Sequence, residues 1–216
     1  MEFLHEIVDI LLHLDQHLQA AIEQFGIWTY VLLFLVLFME TGLVVTPILP
    51  GDSLLFAAGA VAATGALEVE LVFGLLCLAV MLGDSSNYWI GRFVGPKVFH
   101  AEKSRFFKKE YLDRTHRFYE KHGGKTVIIA RFVPIVRTFA PFVAGIGRMR
   151  YLRFLAFSVG GTLLWISVFV FGGYFFGNLP IVKKNFTLVI LAIICISVVP
   201  TLLEVRRERA RAASRG

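Results

Sequence analysis

Four charged side chains lie within apolar stretches of the chain, and their types suggest a common chemistry. Glu40 and Asp52 belong to the first stretch, whereas Arg131 and Arg137 belong to the second. A charge inside hydrocarbon costs about 2.5–3.5 kcal/mol, so such residues usually serve a function. Two guanidinium groups offer planar sets of donors that match a phosphate. Carboxylic acids in low-dielectric surroundings can exchange a proton near neutral pH. The four residues therefore predict a site that binds an anionic phosphate and couples its movement to protons.

Prolines and glycines interrupt both stretches close to these charges. They are Pro47, Pro50 and Gly51 in the first stretch and Pro134, Pro141 and Gly145 in the second. The apolar run from 53 to 63 is too short to cross a hydrocarbon core of about 30 Å as a helix. Broken backbone at that depth is tolerated where it lines a cavity or is buried in protein. We therefore predict two re-entrant helical hairpins, shaped by these residues, whose tips bring the charges together near the midplane.

The composition indicates an integral membrane protein made of helices. Of the 216 residues, 56% are hydrophobic, and the mean hydropathy is +0.69. Apolar runs of membrane-spanning length lie at 69–91, 154–177 and 186–204. Cys77 and Cys195 lie within these runs, where we expect packing residues rather than a disulfide or a metal site. The predicted fold is an all-α polytopic membrane protein with a single domain, 1–216.

The distribution of charge predicts how the chain is oriented. No lysine or arginine precedes Arg92. Basic residues cluster at 92–125, at 148–153 and in the tail at 206–211, and the positive-inside rule places all three groups in the cytoplasm. The second hairpin lies between two of these groups, so it is expected to enter and leave on the cytoplasmic side. The first hairpin is then expected to open on the opposite side, and the C-terminus is expected in the cytoplasm.

The two halves of the chain resemble each other, which predicts an inverted repeat. The matching pairs are Glu40 and Pro50 with Arg131 and Pro141, and Gly91 and Gly95 with Gly173 and Gly177. The predicted segments are an N-terminal amphipathic helix (1–26), a first repeat of hairpin plus span (27–95), a cytoplasmic amphipathic segment (96–125), a second repeat of hairpin plus span (126–178), a final span (179–205) and a basic cytoplasmic tail (206–216).

The charged residues in the apolar stretches also admit structural roles. Asp84 lies within the 69–91 span, and it either joins the proton-coupling residues or pairs with Asn87 and Tyr88. The two acids and two arginines of the hairpins could likewise form buried ion pairs, one acid with each arginine, that only fix the fold. Arg92, at the end of the span, is interpreted as an interfacial anchor.

Other functions are weaker interpretations of the same sequence. Asp9, His13 and His17 are four residues apart, which would suit a metal, but a solvated helix face explains the same spacing. No nucleic-acid motif accompanies the basic residues, and every histidine lies outside the apolar segments, so no nucleophile–histidine pair is expected at membrane depth. We expect no cofactor, no metal, no nucleic-acid partner and no enzymatic activity.

Three motifs resemble those of the DedA family of bacterial inner-membrane proteins, which is related to eukaryotic VTT-domain lipid scramblases. The motifs are Glu40-Thr-Gly with Pro47 and Pro50-Gly-Asp52-Ser-Leu-Leu, Gly83-Asp84 with Tyr88 and Gly91-Arg92, and Arg131-Phe-Val-Pro134 with Arg137-Thr-Phe-Ala-Pro141-Phe-Val-Ala-Gly145. The resemblance covers about residues 26–205. It implies two opposed re-entrant hairpins and an inner-membrane location. It also implies that Glu40 and Asp52 are functional acids and that Arg131 and Arg137 are functional arginines.

The resemblance also narrows the expected cargo. Members of the family are implicated in returning undecaprenyl phosphate across the membrane and in envelope homeostasis that depends on the proton-motive force. We therefore predict a flippase for this lipid. Arg131 and Arg137 would hold the phosphate, and Glu40, Asp52 and Asp84 would carry protons. The expected partners are membrane lipids, undecaprenyl phosphate and protons, and the sequence is compatible with a homo-oligomer. A proton-coupled small-cation antiporter and a phospholipid scramblase remain as alternatives.

Overall fold

The computed structural model describes residues 14–42, 51–99, 127–128, 131, 134–193 and 195 of the chain. The helices are α1 (Leu14–Phe25), α2 (Trp28–Gly42), α3 (Gly51–Ala62), α4 (Val69–Phe99), α5 (Pro134–Ile146), α6 (Tyr151–Phe176) and α7 (Pro180–Lys184). Residues 186–193 are also helical. No β-strand occurs within these ranges, and the predicted all-helical fold is confirmed there.

Two of these helices, α4 and α6, are long and apolar enough to cross a membrane. The apolar part of α4, Val69–Val94, has a mean hydropathy of 1.7, and α6 has one of 2.1. Each of these stretches contains 26 residues, which corresponds to about 39 Å of helix. The spans predicted at 69–91 and 154–177 are therefore confirmed as long apolar helices, the second beginning three residues earlier than expected.

The two long helices run antiparallel to each other. Near the start of α4, the ring of Phe73 stacks on that of Phe171, which is close to the end of α6. Farther along α4, Ser85 accepts a hydrogen bond from the hydroxyl of Tyr151, the first residue of α6, at 3.1 Å. Arg92 of α4 and the basic residues at the start of α6 therefore lie at the same end of the molecule.

A pair of glycines lets α3 lie directly on α6. A Cβ atom on Gly59 of α3 would be 3.0 Å from the backbone nitrogen of Tyr174. One on Gly173 of α6 would be 3.0 Å from the backbone nitrogen of Ala60. Side chains at either position would separate the helices, because small residues are what permits such close backbone approach in membrane proteins.

A second pair of glycines joins α5 to α4 in the same manner. A Cβ atom on Gly91 of α4 would be 3.0 Å from the Cα atom of Phe142. One on Gly145 of α5 would be 2.8 Å from the backbone nitrogen of Arg92. Each short helix thus packs on the long helix of the other half of the chain, and Gly91 and Gly173 occupy matching places in the two contacts.

Pro141 is a correction to the predicted hairpin. The sequence predicts a break at this residue, but α5 begins at Pro134 and continues through Pro141 to Ile146. Pro134 suits the first turn of a helix because that position needs no backbone N–H group. Pro50 immediately precedes α3, whereas Pro141 lies inside α5, so the predicted equivalence of these two prolines is wrong.

Several predicted segments lie partly or wholly outside the described residues. The N-terminal amphipathic helix is confirmed over Leu14–Phe25. Gly26, which follows it, has a φ of +53°. Pro47 and Pro50 fall outside, as do most of the cytoplasmic segment 96–125, much of the final span 179–205 and the tail.

Candidate functional site

Arg137 forms the centre of a buried ion cluster. Its Nη2 donates a hydrogen bond to Oε1 of Glu40 at 2.7 Å, and its Nη1 donates to Oδ1 of Asp52. The side chains of Arg137 and Glu40 are 8% and 1% exposed. Glu40 lies at the end of α2, Asp52 in the first turn of α3 and Arg137 in the first turn of α5. Three helix ends therefore meet at one guanidinium group.

Trp165 of α6 completes this cluster from a fourth helix. Its indole Nε1 donates to Oδ1 of Asp52 at 3.0 Å. The guanidinium carbon of Arg137 lies 4.7 Å from the centre of its ring, which is cation–π geometry. The sequence reasoning missed Trp165. Its position was the available signal, because tryptophans of membrane helices favour the interfaces, and this one lies in the middle of a span.

The absence of a side chain at Gly51 leaves room for the carboxylate of Glu40. A Cβ atom on Gly51 would lie 2.8 Å from Oε1 of Glu40, closer than a carbon can approach. The predicted importance of Gly51 therefore has a steric reason in addition to its position at the start of α3. Gly145, predicted to shape the second hairpin, makes the close contact between α5 and α4.

Arg131 belongs to a second buried cluster. It forms an ion pair with Asp84 of α4, and the two side chains are 6% and 4% exposed. The hydroxyl of Ser158 on α6 donates to Oδ2 of Asp84 at 2.6 Å, and Nη2 of Arg131 is 3.0 Å from the same hydroxyl oxygen. A Cβ atom on Gly161 would be 2.8 Å from Cδ of Arg131, so glycine makes room for the arginine stem.

The two clusters lie side by side along α6. Ser158 and Trp165 are seven residues apart, which places them on one face of the helix about 10.5 Å from each other. Asn87 of α4 links the same region, since its side-chain amide donates to the carbonyl oxygens of Thr41 at 3.1 Å and Thr138 at 2.7 Å. These threonines follow Glu40 and Arg137 directly. Asn87 is therefore a positioning residue for the cluster around Arg137.

The observed pairing differs from the predicted one. The sequence predicts one acid for each arginine of the hairpins, but both Glu40 and Asp52 contact Arg137. Arg131 pairs with Asp84 instead. The alternative pairing of Asp84 with Asn87 or Tyr88 is wrong, because Asn87 binds the two carbonyls above and the Tyr88 hydroxyl donates to the carbonyl oxygen of Met149.

Among the described residues, the cluster around Arg137 contains two acidic side chains and one basic side chain. Two carboxylates share one guanidinium group, and the sequence between α2 and α3, residues 43–50, has no charged side chain. Oε2 of Glu40 and Nε of Arg137 are buried without a hydrogen-bond partner in the described part of the chain, as is Nε of Arg131 in the other cluster. A buried excess charge favours uptake of a proton or a cation. Protonation of the acids would in turn free the donors of Arg137 for an anion.

The metal alternative near the N-terminus falls mostly outside the structure. Asp9 and His13 are not among the described residues, and His17 is exposed on α1. Within the described ranges, no three histidine, cysteine or acidic side chains are grouped closely enough to hold a metal ion.

Comparison with known proteins agrees with the motif resemblance. The family model of the VTT domain matches residues 49–175. The chain is 52% identical to the protein DedA of Escherichia coli K12 over 215 residues, which is 99% of this chain and 98% of that protein. It is 46% identical to an uncharacterized membrane protein of Mycobacterium tuberculosis over 182 residues, or 83% and 80% of the two chains.

A third relative, the inner membrane protein YqjA of E. coli K12, is 33% identical over 184 residues, or 85% and 83% of the two chains. No solved structure matches the chain. The names of these relatives support a membrane location for this protein. The matched domain and the near-complete coverage show that the chain belongs to the DedA family of VTT-domain membrane proteins.

Proposed function

We propose that this protein transports an anionic lipid phosphate across the membrane, with undecaprenyl phosphate as the cargo, and that Arg137 holds the phosphate. The observation that carries the proposal is the buried guanidinium group shared by Glu40 and Asp52 at the meeting point of three helix ends. Broken helices that meet inside the membrane are typical of transporter binding sites.

The positions of the helix ends support a first re-entrant hairpin. The hydroxyl of Tyr30, near the start of α2, accepts a hydrogen bond at 2.8 Å from the backbone N–H of Glu68, which directly precedes α4. The carbonyl oxygen of Ala60, near the end of α3, accepts one at 2.9 Å from the amide of Asn178, beyond the end of α6. The outer ends of α2 and α3 therefore lie at the same end of the long helices, while their inner ends carry the acids.

The second hairpin has support from the opposite end. Val127 packs in one buried cluster with Ala144 and Met149, which flank the end of α5. Arg131, four residues after Val127, lies deeper, beside Asp84. The chain thus goes inward from Val127 and returns along α5 to the basic end. Together with the paired glycine contacts, this arrangement favours two hairpins inserted from opposite sides.

Competition for Arg137 would couple the cargo to protons. In the empty site, the two carboxylates occupy its donors. When protons neutralise Glu40 and Asp52, those donors become available to the phosphate, whose oxygens match the planar fork of a guanidinium group. The pair of Arg131 and Asp84, two helical turns away along α6, has one carboxylate for one arginine, so we propose that it holds the helices in position rather than binding the cargo.

A reconstituted assay tests the cargo. In proteoliposomes that contain labelled undecaprenyl phosphate, the wild-type protein is expected to make the inner-leaflet label accessible from outside. Arg137→Lys keeps the positive charge that Glu40 and Asp52 require but loses the planar fork, so we expect transport to fall about tenfold, the effect of losing roughly 1.4 kcal/mol. Lys183→Ala, on the exposed helix α7, is the matched control and should transport as the wild type does. Equal transport by Arg137→Lys would contradict a phosphate at Arg137.

The excess of carboxylates supports a second candidate, a proton-coupled antiporter of small cations. In that case Glu40 and Asp52 would bind the cargo and Arg137 would tune them. Addition of sodium or potassium salt to vesicles with an imposed pH gradient separates the two functions. Dissipation of the gradient by salt, without movement of the lipid, would favour the antiporter. Lipid movement at equal rates in both directions and without a proton gradient would favour a scramblase.

A further inference from the structure

A basic cleft lies at the end of the molecule where α4 ends and α6 begins. Its volume is about 730 Å³, and it is far from the cluster around Arg137. The polar and aromatic residues that line it are Arg92, Arg148, Arg150, Arg153, Trp89 and Tyr151. Arg150 directly precedes α6, and Trp165 of the cluster around Arg137 lies 15 residues further along the chain, which corresponds to about 22 Å along the helix axis.

The four arginines of this cleft have no acidic partner among the residues that the structure describes. The ion pairs there involve Arg131 and Arg137 only. Arg92 donates to the hydroxyl of Tyr88 at 3.2 Å and lies 5.9 Å from the ring centre of Trp89. Guanidinium groups gathered around one cleft repel each other, so a bound anion would relieve this repulsion.

The backbone at Arg148 gives an independent indication. Arg148 has a φ of +51°, in the left-handed region that favours glycine. The N–H of Arg148 donates to the carbonyl oxygen of Gly145 at 3.0 Å, and that of Met149 donates to Ala144 at 3.1 Å, which is the Schellman pattern at a helix end. Glycine is the usual residue at this position, and the side chain of Arg148 is exposed. Glycine suits this backbone better than arginine does, and a residue held in such a conformation points to a function.

The walls of the cleft favour a lipid over a free anion. Trp89 and Tyr151 contribute aromatic rings of the kind that occupy the membrane–water interface. Leu152, which also lines the cleft, is 79% exposed, and Phe93, one helical turn beyond Trp89, is 66% exposed. Exposed apolar groups beside a set of arginines match the boundary between acyl chains and phosphate headgroups.

We propose that this cleft binds the phosphate headgroup of an anionic phospholipid from the adjacent leaflet. The site is separate from the one around Arg137 and does not depend on the proposed transport. The four arginines would contact the phosphate oxygens, and Trp89 and Tyr151 would pack beside the glycerol and the first part of the acyl chains.

Quenching of Trp89 fluorescence by spin-labelled lipids tests this site. Trp28 is 68% exposed, whereas Trp165 is 1% exposed, so Trp28→Phe leaves Trp89 as the accessible tryptophan. In vesicles of phosphatidylcholine, spin-labelled phosphatidylglycerol is expected to quench Trp89 more strongly than spin-labelled phosphatidylcholine. Arg150→Gln and Arg148→Gly should each lower the apparent affinity for phosphatidylglycerol about fivefold, the usual effect of one basic residue near a membrane surface.

Two controls distinguish a specific lipid site from nonspecific electrostatic attraction and from damage to the fold. Lys183→Gln and Lys184→Gln remove a charge from the exposed helix α7 and should leave the preference unchanged. Arg148→Gly should keep or raise the melting temperature while the affinity falls, because glycine suits that backbone. Equal quenching by the two labelled lipids, or an equal loss in Lys183→Gln, would overturn the proposal. Displacement of the labelled lipid by inorganic phosphate as readily as by phosphatidylglycerol would overturn it in favour of a free anion.

Discussion

The two buried ion clusters use the same kinds of side chain but differ in charge balance. Around Arg131, one arginine meets one carboxylate, and Ser158 bonds to both partners. Around Arg137, one arginine meets two carboxylates, and Trp165 adds a donor and an aromatic face. Among the described residues, the first cluster has equal numbers of acidic and basic groups. Among the same residues, the second cluster has two carboxylates for one arginine.

This difference separates a structural role from a transport role. A neutral ion pair in low dielectric fixes the positions of the helices that carry it, and removing one partner leaves an uncompensated buried charge. A cluster with two acidic groups for one arginine can lower its electrostatic energy by taking up a proton or a ligand. We therefore expect the cluster around Arg131 to control stability and the cluster around Arg137 to control activity.

The largest expected effect on stability comes from Asp84→Asn. The substitution leaves Arg131 buried without a counter-charge, which typically costs about 3–5 kcal/mol. Unfolding of the purified protein in detergent, followed by tryptophan fluorescence, measures the loss. The double variant with Arg131→Gln removes both charges and should recover most of the stability. A loss below about 1 kcal/mol in the single variant would place this pair among weak surface interactions and contradict its structural role.

The next effect is expected at Trp165. Trp165→Phe keeps an aromatic ring beside Arg137 but removes the indole donor to Asp52. A hydrogen bond to a charged group contributes about 1.5–3 kcal/mol, so stability should fall by that amount. Trp28→Phe is the matched control, because Trp28 is exposed. If Trp165→Phe lowers the free energy of unfolding no more than this control does, the hydrogen bond between the indole and Asp52 does not stabilise the protein, and the prediction for the cluster around Arg137 is wrong.

How much of this site could be predicted from the sequence depends on the kind of information required. The long apolar runs predicted the positions of α4 and α6. Because charges are rare in apolar stretches of a membrane protein, the sequence also identified a set of five charged residues: Glu40, Asp52, Asp84, Arg131 and Arg137. The pairing could not be predicted, because spacing along a chain gives depth but not the direction in which each side chain points. That direction depends on how α3 rests on α6 and α5 on α4.

Pro141 shows a related limit of the sequence. Proline usually interrupts a helix because it lacks an N–H group and its ring crowds the preceding turn. In membrane helices, neighbouring helices and local adjustments can compensate for these losses. Since α5 packs closely on α4 through Gly91 and Gly145, tertiary contacts outweigh the local preference. The equal spacing of the two charge–proline pairs is then a coincidence rather than a sign of equivalent positions.

A glycine in the cluster around Arg131 allows a sharper comparison. Gly161→Ala would bring a Cβ atom to 2.8 Å from Cδ of Arg131, so the arginine side chain must shift. Overpacking of this kind costs about 1–3 kcal/mol. Gly160→Ala is the matched control, since nothing lies within 4 Å of a Cβ there. The control should be neutral or slightly stabilising, because alanine favours a helix more than glycine does. Equal melting temperatures for the two variants would show that Arg131 has room to move and is not fixed by its cluster.

The smallest effect on stability, and the most informative one for function, is expected from Glu40→Gln. The amide oxygen of glutamine can still accept the hydrogen bond from Nη2 of Arg137, and Asp52 still balances that charge. The cost should therefore stay within about 1 kcal/mol, far below that of Asp84→Asn. If protonation of Glu40 frees Arg137 for the cargo, the variant resembles the protonated state at every pH. Transport by the wild type should then decline as the pH rises, whereas transport by Glu40→Gln should vary much less between acidic and alkaline buffers. An unchanged pH profile would remove Glu40 from proton coupling, and a stability loss as large as that of Asp84→Asn would show that both clusters serve the fold alike.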